Sequence, residues 1–300
     1  MGDNRDTPQP PSRADSPSVR AAANSKNANT KTKKEIRILM LHGYTQSGAL
    51  FRAKTRALEK LLAKALAPLG LVPALLYPTA PNRLSPRDIP GYEPSGPNDE
   101  GGETEEATDS WAWFRKDEAS GTYRLVEEGM RRLAEAVTEL RGGGGGGADG
   151  ADGDGGFVDG VIGFSQGGCM AAMLASAMEC GRAPRTVGAA KEHEGWAKAV
   201  REANGGRPLK FAVIYSGFYA VPADLGWLYE PKVKTSTLHF LGSLDTVVDE
   251  SRSQGLIERC EEPMVMVHPG GHYVPVSKEW VMPLAGFIRK CLEEDSMEAK

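Results

Sequence analysis

The 300-residue sequence predicts an α/β fold, a mainly parallel twisted sheet with helices on both faces. Three observations predict it. Short apolar runs alternate along the chain with segments of helical periodicity. The runs read as buried strands, the pattern of a sheet covered on both sides. One of them, Phe157–Ile162, leads into Gly163-Phe164-Ser165-Gln166-Gly167 and then into Cys169–Ala175, rich in small and helix-forming residues. Strand, G-x-S-x-G, helix is the context of a nucleophile elbow.

The elements follow in order. Strands are expected near 36–41, 72–77, 158–163, 210–215, 237–241 and 264–268. A helix over about 49–67 carries the stripe Leu58, Leu61, Leu62, Ala65 and Leu66, and Pro68 and Gly70 end it. Another over about 122–140 places Val126, Met130, Leu133, Val137 and Leu140 at helical spacing. A last helix over about 283–294 turns Leu284, Phe287, Ile288, Cys291 and Leu292 inward. Each stripe reads as core rather than as a cofactor box.

The chemistry starts at Ser165. Glycines at the flanking positions let strand and helix pack closely and hold the hydroxyl above the sheet. A serine hydroxyl needs a base, and the base an orienting carboxylate, in the chain order Ser, acid, His. Asp245 follows the β-prone run Ser236–Leu241 and the turn at Gly242; His272 follows the run Met264–His268 on a Gly-Gly loop. Both sit just past a strand's carboxyl end, where open α/β sheets place their sites. Asp249 is the competing acid and reads as the cap of the next helix. His268 reads as locked before Pro269, His239 as a sheet histidine and His193 as a solvated residue of a polar segment. After the first strand, His42-Gly43-Tyr44 offers either a plain turn or one backbone donor to an oxyanion hole. The donors expected are the N–H groups of Tyr44 and Gln166. Residues 81–110, rich in Pro, Gly and acids, run into Trp111, Trp113 and Phe114. These aromatics either line an acyl pocket or pack the following helix on the sheet. Tyr219–Tyr229, with Trp227, is a second candidate wall.

The set Leu41-His42-Gly43-Tyr44, Gly163–Gly168, Leu244–Val248 and His268–Pro275 resembles the fungal FSH family of serine hydrolases, which includes the ovarian-cancer-associated gene 2 protein. Trp111–Phe114 and Phe211–Phe218 agree with it, and the resemblance covers about 35–292. It implies an α/β-hydrolase fold with the triad Ser165, Asp245 and His272. It also implies esterase or thioesterase activity, in some members on polyketide chains of secondary metabolism. The departures are a glycine-rich insertion before the elbow and a polar stretch around 182–206. They bear on substrate choice more than on chemistry. Acyl transfer to an alcohol or amine, peptide hydrolysis, and a non-catalytic binding module on the same scaffold stay open as other readings.

Bulk properties narrow the class. The net charge of −4 argues against nucleic acid, although residues 1–34 carry seven Lys/Arg against three Asp. That segment reads as a disordered polar tail before a domain over 35–294. Four cysteines in this length suggest no disulfide framework; Cys169 and Cys180 fall on the helix after the elbow and Cys291 on the last, as buried thiols. No Cys/His spacing suggests a metal, and the mechanism requires no cofactor. With no apolar leader and no run of 18 apolar residues, a cytoplasmic protein acting on a small acyl ester or thioester, or on an acyl chain borne by a carrier protein, is expected. Residues 142–156 hold ten glycines and three aspartates and read as a flexible surface insertion. Loop closure costs rise slowly with length. Deleting Gly143–Gly153 is therefore expected to preserve soluble expression and activity; loss of soluble protein would refute the reading.

Overall fold

The computed structural model describes residues 33–91, 109–117, 119–142, 156–184 and 190–298. The polar tail up to residue 32, most of 81–110 and the core of the glycine-rich segment lie outside the described residues. Six strands form one sheet: β1 (Lys34–Leu41), β2 (Leu71–Leu76), β3 (Gly160–Phe164), β4 (Phe211–Tyr215), β5 (Ser236–Gly242) and β6 (Met264–His268). Their order is β6-β5-β4-β3-β1-β2, and every neighbouring pair is parallel. All six were legible as apolar runs. The central strands β3 and β4 are buried along their whole length.

Alternation along the strands splits the core into two layers. Ile36, Ile38 and Met40 of β1 join Ile162, Val213 and Phe240 on one face, under α1 (Gly48–Leu66) and α6 (Lys278–Glu298). Leu39, Leu41, Val161, Ala212 and Ile214 join the other face. That face is covered by α2 (Val126–Gly142), α3 (Gln166–Met178) and α4 (Ala190–Ala203). A short α5 (Glu250–Ile257) lies between β5 and β6. All thirteen residues of α3 are buried, so the helix behind Ser165 is a core element rather than an amphipathic one.

The ends of the helices are set by local chemistry. Ser47 caps α1, its side chain accepting from Leu50 N, and Gly70 ends the following turn at φ 76°. The second helix starts at Val126, later than the periodicity suggests. Tyr123-Arg124 pairs instead with Arg115-Lys116 as a small antiparallel ribbon, and Leu125 turns at φ 66°. Pro283, which reads as a helix start, lies inside α6. A proline there forgoes one backbone hydrogen bond and crowds the carbonyl four residues before it.

The segment around 182–206 corrects the sequence reading. It contains α4, whose Trp196, Ala197 and Val200 are fully buried. His193 is buried rather than solvated: its Nδ1 accepts from Trp227 Nε1 at 3.3 Å and its Nε2 lies 3.5 Å from Asp224. Cys180 is also corrected. It lies just past α3 and is exposed, while Cys169, Cys260 and Cys291 are buried; all four are free.

A buried ion pair fastens the carboxyl end of α3. Arg182 Nη2 is 2.6 Å from Glu179 Oε2. The same guanidinium donates to the carbonyls of Trp227, Leu228, Pro231 and Lys232, and Glu179 Oε1 accepts from Lys234 N and Thr235 N. Both charges thus have their hydrogen-bonding capacity filled by the loop that leads into β5. Removing one member strands the other charge in the interior, at a cost of about 3–5 kcal/mol. Arg182→Leu is expected to lower the stability by that amount in urea unfolding, with little change in the slope.

Candidate active site

Ser165 stands between the last residue of β3 and the first of α3 at φ 54°, ψ −118°, a strained conformation for a residue with a side chain. The surrounding backbone holds it there. Its N–H donates to Tyr215 O at 2.9 Å, and its carbonyl accepts from Gly168 N and Cys169 N. The two motif glycines are required by space. A Cβ on Gly163 would lie 2.1 Å from Gly167 O, and one on Gly167 would lie 2.2 Å from Leu41 O.

Asp245 and His272 meet although 27 residues apart: His272 Nδ1 donates to Asp245 Oδ2 at 2.8 Å. Burial alone would push the Asp245 carboxyl up. The hydrogen bond from His272 and those from the backbone of Val248 and Val247 outweigh it and hold the group below the ordinary carboxylate value. The loops that carry the two side chains interlock. Leu244 N donates to Gly270 O, and a Cβ on Gly242 would lie 2.5 Å from the carbonyl oxygens of both Gly270 and Gly271. The His272 ring rests on Phe164, the residue before Ser165, with centroids 4.7 Å apart. An acid-oriented imidazole therefore stands next to the elbow, with Nε2 as its basic nitrogen.

The competing residues sit elsewhere. Asp249 caps α5, accepting from Ser251 N. His268 is buried against the rings of Tyr273 and Trp280, and among the described residues neither of its nitrogens has a hydrogen-bond partner. His239 is buried in β5, its pKa lowered to about 4 by burial.

The loop after β1 closes the other side. A Cβ on Gly43 would lie 3.1 Å from the Phe164 ring and 3.3 Å from Ser165 Cβ, so this loop packs closely against the serine. Thr45 turns the chain at φ 62° and donates its N–H to Trp111 O. The N–H groups of Tyr44 and Gln166 find no backbone acceptor among the described residues. His42 fixes the loop from below. It is fully buried; Nδ1 donates to Gly43 O at 2.8 Å and Nε2 accepts from Ala80 N at 3.0 Å. Both bonds need the neutral ring, and burial lowers its pKa to about 4.

Of the two readings, pocket lining or packing, three of the aromatic residues show packing. Trp113 is fully buried and donates Nε1–H to His42 O at 2.9 Å. Phe114 is buried and stacks on Tyr123, and Trp227 is buried against Trp196. These three side chains are committed to the core. Trp111 is half-buried, with its indole N–H on Asp109 and Arg83 over its ring. A second task for Gln166 appears only in the structure. Its side chain accepts from Trp113 N and donates to Phe114 O, both at 2.8 Å, so it ties the elbow to the 113–114 segment. A buried amide must find such partners, but only the fold says which.

A strained serine between strand and helix, beside a histidine held by a carboxylate on a parallel sheet, defines the α/β-hydrolase class. The chain belongs to the family described as serine hydrolase (FSH1), whose model matches residues 31–284. Among its relatives is the family of serine hydrolases 2 protein of Saccharomyces cerevisiae, 30% identical over 84% of this chain and 97% of that one. Esterase OVCA2 of Danio rerio is 27% identical over 85% of this chain and 97% of its own. A Schizosaccharomyces pombe protein named dihydrofolate reductase is 31% identical over 81% of this chain, but the match spans only 44% of that protein. Among solved structures, an L63A variant of Arabidopsis thaliana SOBER1 shares the fold, with a TM-score of 0.51 and 18% identity over 86% of this chain and all of that one.

The depressed histidine has a consequence for stability. His42 has a folded pKa of about 4, below its ordinary 6.5, so folding favours the neutral ring. That stability is complete above about pH 6.5 and is lost as the pH falls through 4. Asp245 acts in the same direction at the acid end of the range. The melting temperature is expected to fall between pH 6.5 and 4, and less steeply in His42→Gln, which differential scanning calorimetry across that range checks.

Proposed function

We propose that this serine hydrolase cleaves carboxylic esters or thioesters through an acyl-enzyme on Ser165. The observation that carries the reading is the elbow itself, a strained serine with an acid-oriented imidazole alongside. Nε2 of His272 removes the hydroxyl proton as Ser165 Oγ attacks the substrate carbonyl. The N–H groups of Tyr44 and Gln166 stabilise the oxyanion, each worth about 3–4 kcal/mol if lost. The imidazolium, stabilised by Asp245, gives its proton to the departing alcohol or thiol. A water molecule, deprotonated by the same nitrogen, then releases the acid and restores the serine.

The esterase names of relatives favour an ester over an amide as substrate. The family resemblance extends the reading to thioesters, including acyl chains on a carrier protein in secondary metabolism. The aromatic residues contribute to the site through the loops they hold rather than as an acyl-pocket lining; Trp111 is the one left with surface to offer.

Intact-mass analysis after treatment with a fluorophosphonate probe tests the proposal. One adduct on the parent and none on Ser165→Ala is the expected result; an adduct of equal yield on the variant would overturn it. Asp245→Asn should keep the fold and lose on the order of 10⁴ in kcat. A chain-length series of p-nitrophenyl esters and acyl thioesters then ranks the two substrate classes by kcat/KM.

A further inference from the structure

The two edges of the sheet differ. At one edge, β2 carries Pro73 in its middle, opposite Ile36. A proline cannot donate to a further strand and is a common guard of a sheet edge. At the other edge, β6 reads Met-Val-Met-Val-His between Pro263 and Pro269, carries no proline, lysine or other charge within it, and among the described residues pairs on one side only. Met266 packs into the core beneath α6. Val265 and Val267 therefore project from the opposite face of the strand, and they are 44% and 56% exposed. Leu244 and Tyr273 extend the apolar surface at the carboxyl end of β6, exposed at 68% and 51%. An unpaired row of backbone donors and acceptors flanked by exposed β-branched side chains is a template for another strand.

We infer that β6 is a self-association surface on which a second copy of the chain pairs antiparallel across a two-fold axis at Met266. The sequence around the edge is self-complementary in that register. Val265 falls opposite Val267 of the second copy, and Val267 opposite its Val265, giving two apolar cross-strand pairs on the uncovered face. Glu262 falls opposite Gly270 and Glu261 opposite Gly271, so the acidic residues before the strand meet no like charge. The two sheets would run on as one of twelve strands. A five-residue ladder is small beside the ~1,200–2,000 Å² of a stable interface. Leu244 and Tyr273 supply the additional apolar area. An anionic or neutral lipid surface is the less suitable occupant, because it cannot satisfy the edge's backbone groups.

Sedimentation velocity across the micromolar range on the full chain tests this. The parent is expected to form a dimer. Val265→Lys and Val267→Glu should each shift it to monomer, while Val72→Lys on the guarded edge should leave the dimer intact. The double variant V265K/V267E sets lysine opposite glutamate twice in the proposed register, and it should dimerise again. Hydrolysis of a soluble p-nitrophenyl ester, unchanged in all four, shows that each is folded. A parent that stays monomeric, a dimer indifferent to both β6 substitutions, or a double variant as monomeric as the singles would overturn the proposal.

Discussion

The close approach of β3, α3 and β1 is the constraint on which the rest of the structure depends. It exists because Gly163 and Gly167 have no side chain. A Cβ on either would be driven into backbone atoms little more than 2 Å away, and backbone cannot step aside. With the three elements in contact, the turn between them must pass through the strained conformation at Ser165. The same contact brings the carbonyls of Leu41 and His42 against the helix, so the loop after β1 has to emerge beside the serine. The interior position of α3 follows as well, since a helix docked so tightly on the middle of a sheet has no solvent side.

A polar network then holds what the glycines bring together. Gln166, Trp113 and His42 form a chain of buried donors and acceptors that runs from the elbow to the loop facing it. Each group is satisfied in one arrangement only, and a buried group left without its partner costs about 1–3 kcal/mol. The network thus fixes geometry by making the alternatives expensive. It also explains why Trp113, which looks like pocket lining in the sequence, is fully enclosed. Its indole N–H serves the site from behind while its ring fills the core.

How much of this was legible divides along physical lines. The strands were clear because buried parallel strands are written as unbroken apolar runs, and Val161-Ile162 or Val213-Ile214 leave few other readings. Ser165, Asp245 and His272 stood out because each follows such a run, and the last two meet in the structure. Helix ends were harder. Tyr123-Arg124 has helical neighbours and still forms a ribbon, because Arg115-Lys116 lies opposite, a fact of tertiary placement. The amphipathic stretch around Trp196 was obscured by the lysines and glutamates of its outer face. The task of the Gln166 side chain could not be read at all, since its partners are backbone groups more than fifty residues away.

The interlock at Gly242 bears on how such a chain can change over time. The turn that bears Asp245 and the turn that bears His272 share van der Waals contact and a hydrogen bond, so they behave as a single piece. Inserting a residue into either would separate carboxylate from imidazole without altering either one. Length variation among descendants of this fold is thereby channelled away from 242–245 and 268–272, towards the long connections after β2, before β3 and between α3 and β4. Those connections can then diverge while the Asp245–His272 pair is inherited intact.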